Sequence, residues 1–178
     1  VITSSGPGDL FTVRNVGNLV PADVNDGSVD ASLSFAINQL HVNSIVVCGH
    51  SCCGAMKALL SDTKGPDAVV ARWLQHALDS FIAYQNHHPA RASATMCGFG
   101  PVDQLAIVNV AVQVERLTRH PLLGEALQAG RVRVVGAFFD IGAAHVYEID
   151  EYGIVGTAGT STLHPHAGQR RSGGGSIR

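Results

Sequence analysis

Ile45-Val46-Val47-Cys48 is a short, unbroken apolar run that stops at Gly49 and passes directly into His50-Ser51-Cys52-Cys53-Gly54. A continuous run of this length suits a strand buried on both faces, the kind found in parallel sheets. Such a strand needs covering elements on either side. In open α/β sheets ligands gather just beyond the carboxyl ends of the strands, and here that end carries His50 and Cys53, two soft metal ligands.

The flanking sequence supplies the cover. Val29, Leu33, Ala36, Ile37 and Leu40 recur at helical spacing between Ser28 and His41, with Asp26 or Ser28 available as N-cap, and this predicts a crossover helix into the strand. After Gly54, Ala55, Met56, Leu59 and Leu60 predict a short helix whose N-terminal end faces the His50 to Cys53 turn and favours thiolate there. Val70, Trp73, Leu74, Ala77, Leu78, Phe81 and Ile82 form one apolar stripe, predicting a long helix over 67–88 that Pro89 ends. The span 91–100 is small and polar and reads as a connection. A further helix starts at Pro101, carries Leu105, Val108, Asn109, Val112 and Leu117, and stops at His120-Pro121. A short one over 122–128 closes at Gly130.

Strands are predicted at 10–14, where the residues alternate, and at 132–139, which is strongly apolar. A hairpin-like edge is expected around Glu151-Tyr152-Gly153. The expected fold is therefore an α/β domain over residues 1–164, with a mainly parallel central sheet flanked by helices. Residues 165–178 lose the apolar pattern, end in Gly173-Gly174-Gly175, and read as a flexible tail.

Composition narrows the function. The net charge of -2 with 15% charged residues gives no electrostatic footprint for nucleic acid. No stretch reaches the length of a membrane span, so the default expectation is a cytoplasmic domain without membrane contact. Of the 4 cysteines, Cys48, Cys52 and Cys53 crowd one turn and Cys97 stands apart. That pattern favours metal binding or burial over a disulfide framework, although Cys52-Cys53 could form a strained vicinal disulfide.

His-x-x-Cys in one tight turn can supply two ligands of a tetrahedral zinc site, which in catalytic form uses three protein ligands and keeps one position open. Buried small residues at a strand end are the alternative. His87, His88, His164 and His166 read as solvated surface residues, and Asp140 as a turn residue or a member of the site.

The string Val46-Val47-Cys48-Gly49-His50-Ser51-Cys52-Cys53-Gly54-Ala55-Met56-Lys57-Ala58 closely resembles the second zinc-ligand motif of the β-class carbonic anhydrases. Phe11-Thr12-Val13-Arg14-Asn15-Val16-Gly17-Asn18 is similar to that family's Arg-Asn-x-Gly/Ala-Asn segment. The later helix Asn109 to Leu117 with His120-Pro121 also fits, and the likeness runs to about Val155. It implies reversible hydration of carbon dioxide to bicarbonate and a proton at a zinc ion held by His50 and Cys53, with the Gly54 N–H offered to a substrate or product oxygen. It implies a homodimer or a dimer of dimers, and structural or interface roles for Arg14 and Asn18. Some members join the arginine of this segment with a Trp and a Tyr in a bicarbonate pocket. Here Phe139 aligns with that Tyr, and Trp73 belongs to an unrelated helix.

The family's third zinc ligand lies in a Cys-x-Asp-Ser-Arg motif that would fall just upstream of Val1. The expectation is an N-terminally truncated chain whose parent supplies that motif. Cys48, which should point into the sheet packing, Cys52 and Cys97 are the substitutes within the sequence. Two rival functions share the scaffold: hydrolysis of carbon disulfide or carbonyl sulfide, and a non-catalytic module of a larger, transporter-fused protein.

Overall fold

The computed structural model describes residues 5–21, 27–61 and 67–157. Its elements follow the order α1 (Gly27–Asn38), β1 (Ser44–His50), α2 (Gly54–Leu60), α3 (Ala68–Leu74), α4 (Leu78–Gln85), α5 (Pro89–Met96), α6 (Pro101–Thr118), α7 (Gly124–Gln128), β2 (Arg133–Asp140), β3 (His145–Asp150) and β4 (Gly153–Thr157). The strands form one sheet in the order β1-β2-β3-β4. The α/β class holds, with a mixed sheet: β1 and β2 pair in parallel, while β2–β3 and β3–β4 are antiparallel. Among the described residues parallel pairing is thus confined to β1 and β2. The hairpin at Glu151-Tyr152-Gly153 adds the last antiparallel strand, with Asp150 accepting from the N–H groups of Tyr152 and Gly153.

The core is built around α6. Leu105 through Ala111 are all buried, as are Gln113, Val114 and Leu117. This is wider than the single apolar stripe of a surface helix and marks a helix packed on several sides. Its face meets the sheet at Gly49 of β1 and Gly136 of β2, where a Cβ would lie 2.7 Å and 2.8 Å from the two methyl groups of Val110. Side chains alternate along a strand, so Val47 and Gly49 face α6 while Val46, Cys48 and His50 face the other way.

Four local expectations are corrected. Residues 10–14 alternate but pair with no strand among the described residues, and they run as an exposed segment without regular secondary structure. The helix over 67–88 breaks into α3, a 3-10 turn (Gln75–Ala77) and α4. Leu74, Ala77, Ser80 and Tyr84 are its buried positions, and the tighter turn brings Leu74, Ala77 and Ser80, three apart, onto one line. The connection at 91–100 is mostly the helix α5: Pro89 starts it at the first helical position, and Ala90 and Ala94 are fully buried. His88, read as a solvated residue, caps that helix by accepting the Ala90 N–H at Nδ1. Asp26 and the tail over 165–178 lie outside the described residues, as do His164 and His166. No helix among the described residues is long and apolar enough to cross a membrane.

Candidate metal centre

The site is made where β1 ends and α2 begins, and every residue of the turn between them is pinned. The Ser51 N–H donates to the Phe139 carbonyl at 2.9 Å, extending the β1–β2 pairing by one residue. The buried Ser51 hydroxyl accepts from the Ile141 N–H at 2.9 Å and donates to Asp140 Oδ1 at 3.4 Å. Cys52 sits in the left-handed region, φ +58°, and its N–H donates to Asp103 Oδ1 at 2.7 Å. Cys53 occupies the N-cap position of α2, where its carbonyl accepts the Lys57 N–H and its side chain makes no capping hydrogen bond.

This arrangement leaves two ligand atoms uncommitted. His50 Nδ1 lies 2.9 Å from the Ser51 carbonyl, and a carbonyl can only accept. Nδ1 therefore carries a proton, and in the neutral ring this leaves the lone pair on Nε2, the tautomer of a metal-ligating histidine whose other nitrogen is held by a carbonyl. The Cys53 thiol is free of capping and buried. Both residues line one cavity of about 410 Å³, together with Gly54, Asn15, Gly17 and Leu74.

The facing wall, residues 15–17, has no regular secondary structure, and polar side chains, buried at Asn109, Gln113 and Ser80 and partly buried at Asn15, Trp73 and Arg116, hold it instead. Asn15 closes a loop on itself through both its amide atoms and the Leu19 backbone, each at 2.8 Å. The Trp73 indole donates to the Val16 carbonyl at 2.7 Å, and Asn109 Nδ2 donates to the Gly17 carbonyl at 2.9 Å. Gln113 accepts the Val20 N–H, and Arg116 donates to the Val20 carbonyl. Ser80 completes the set by donating to Asn109 Oδ1. Buried polar groups are tolerated only when satisfied in this way, and by satisfying them the cluster on α6 sets the position of the wall.

The remaining expectations divide. Cys48 does not enter the packing against α6, because Val47 and Gly49 take that face and alternation sends Cys48 to the other. Its thiol is still sunk enough for desolvation to push its pKa up, which disfavours the thiolate a metal needs. Cys52 and Cys97 are exposed, Cys97 at the end of α5. Among the described residues no group of three His, Cys, Asp or Glu side chains is placed to hold a metal ion. Asp140 serves its turn, accepting from the N–H groups of Gly142 and Ala143. Arg14 is exposed and lines a second groove with Trp73, two residues the sequence kept apart. Asn18 adopts φ +45°, and its buried Nδ2 has no hydrogen-bond partner among the described residues. Asp103, Ser51 and Gln113 escaped sequence reasoning. The only trace of Asp103 was an acidic residue in the first turn after Pro101.

A sequence profile of the family described as carbonic anhydrase matches residues 1–146. The chain is 37% identical over 152 residues to a carbonic anhydrase of Pseudomonas aeruginosa, covering 84% of this chain and 66% of that one. It is 34% identical over 159 residues to a carbonic anhydrase of Synechococcus elongatus, covering 84% and 54%. The solved structure of the β-carbonic anhydrase CcaA superimposes with a TM-score of 0.72 at 28% identity, over 87% of this chain and 75% of that one. A tetrameric β-carbonic anhydrase of Sordaria macrospora superimposes with a TM-score of 0.67 at 32% identity, over 83% and 71%. The sequence spans about half to two thirds of the length of these curated relatives.

Proposed function

Because this chain belongs to the β-class carbonic anhydrases, we propose that it serves the zinc-dependent, reversible hydration of carbon dioxide to bicarbonate and a proton. The observation that carries the reading is that His50, held by the Ser51 carbonyl at Nδ1, and Cys53, whose thiol makes no capping bond, line the same cavity. Imidazole nitrogen and thiolate sulfur are the donors zinc prefers, so the residues present fit two of its positions. We assign the third protein ligand to a Cys-x-Asp-Ser-Arg segment that the family resemblance places upstream of Val1. Zinc in such a site supplies Lewis acidity that lets water give up a proton near neutral pH.

The chain's own residues do the rest. The Ser51 carbonyl fixes the tautomer and orientation of His50. Ala58, Val70 and Leu74 give the cavity an apolar side suited to an uncharged, linear substrate. Gly54, which opens α2 in the same cavity, offers its N–H to the charged product's oxygen. Arg14 and Asn18 serve structure and the subunit interface. A homodimer or dimer of dimers forms through the exposed apolar residues Leu10, Phe11, Val13 and Val16, and the protein works in the cytoplasm.

The test pairs metal analysis with rapid-mixing carbon dioxide hydration on the chain bearing its upstream segment. His50→Ala and Cys53→Ala are each expected to lose zinc and activity together. Full zinc occupancy in either variant would contradict the assignment.

A further inference from the structure

We propose that Asp103 is a positioning residue of the metal pair: from the first turn of α6 it holds Cys52 in the left-handed region and so turns the Cys53 thiol toward His50. The inference rests on the metal reading given above. A residue with a Cβ seldom adopts positive φ, and the exceptions are enriched in Asn, Asp and His, whose side chains make that conformation easier. Cys52 lies at φ +58° with no such help from its own side chain. What it has is a charge-assisted bond from its N–H to Asp103 Oδ1, 2.7 Å long and 51 residues distant in sequence.

The turn offers no other joint. Ser51 is tied to β2 through its N–H and its hydroxyl, and the Cys53 carbonyl is engaged by the first turn of α2. The Cys52 backbone is therefore where the direction of the chain is set between the His50 ring and the Cys53 thiol. An acidic residue at the third position of a helix ordinarily bonds back to the N-cap N–H or rests near the positive helix end. Asp103 reaches out to Cys52 instead.

The experiment uses the chain bearing its upstream segment, with Co(II) as the probe, whose absorption reports thiolate ligation. It compares the native protein with Asp103→Ala, Asp103→Asn and Asp103→Ala combined with Cys52→Asn. Groups that orient metal ligands typically contribute about tenfold or more to affinity. Asp103→Ala is therefore expected to weaken Co(II) binding about tenfold, to reduce the thiolate band, and to speed Cys52 amide exchange in the metal-free protein. Asp103→Asn, which keeps an acceptor oxygen and the helix, should fall between. Cys52→Asn should restore most of the lost affinity, because Asn tolerates the left-handed region unaided; a general loss of stability would show no such rescue. Native-like binding and thiolate absorption in Asp103→Ala, or no recovery with Cys52→Asn, would overturn the proposal while leaving the metal reading intact. If the native chain binds no Co(II) through His50 and Cys53, the metal reading fails and this inference with it.

Discussion

At position 49 a hydrogen is the largest side group the packing accepts. Gly49 precedes the first candidate ligand, and a Cβ there would stand 2.7 Å from a Val110 methyl. Gly49→Ala is expected to cost about 1–3 kcal/mol, the usual range for an overpacked core. Adding Val110→Ala should recover part of that loss, since it removes the clashing methyl, and urea unfolding of the single and double variants measures both. Equal stability of Gly49→Ala and the native chain would refute the close packing. The candidate ligands were legible in the sequence because His50 and Cys53 follow an apolar run that ends at this glycine. The facing of Cys48 was not: a continuous apolar run gives no phase, and only the contact of Gly49 with α6 shows which side is inside. Asp103 was invisible because its partner lies 51 residues away, beyond the reach of any local pattern.

Among the elements, α1, β1, α2, α6, α7 and β2 lie where periodicity and turn residues place them. The failures share a cause: local signals do not reveal the partner. Residues 10–14 have strand-like alternation without a neighbouring strand among the described residues, and α5 has so little apolar surface that its sequence resembled a loop. What docks α5 is close contact, with Ala90 and Ala94 fully buried and the Ser93 hydroxyl accepting the Ile154 N–H of β4 at 2.8 Å. Its N-terminus depends on a histidine. Desolvation lowers the pKa of His88 below its ordinary 6.5, with Glu115 pulling partly the other way, and its capping bond requires a neutral Nδ1. The folded pKa lies below the unfolded one, so the unfolded chain binds more protons between them and stability rises with pH there. The contribution is whole above the unfolded value and is lost as pH falls through the folded one. Asn caps a helix without titrating. His88→Asn should therefore flatten the low-pH side of a melting-temperature profile taken across the histidine range, roughly pH 5 to 8. Parallel profiles for the two proteins would show that His88 does not carry the effect.

At the scale of the whole molecule, α6 links the two walls of the site. One end holds the ligand turn through Asp103, and the middle holds residues 15–20 through Asn109, Gln113 and Arg116. The segment leading into that second wall leaves Leu10, Phe11, Val13 and Val16 exposed beside Phe35, whose ring lies 5.8 Å from that of Phe11. An exposed apolar ridge of this kind is a candidate interaction surface, and a second copy of the chain seated on it would press against the segment that positions Asn15 and Gly17. In the assembly proposed above, interface and site would then be coupled. Val13→Asp, which places a charge on the ridge, is expected to shift the sedimenting species toward the single chain and to lower Co(II) affinity, although it touches neither His50 nor Cys53. Val155→Asp, at an exposed position of β4, should change neither. A single-chain mass for the native protein, or an unaltered sedimentation profile for Val13→Asp, would remove the ridge as an interface. Dissociation with unchanged metal affinity would keep the interface and break its link to the site.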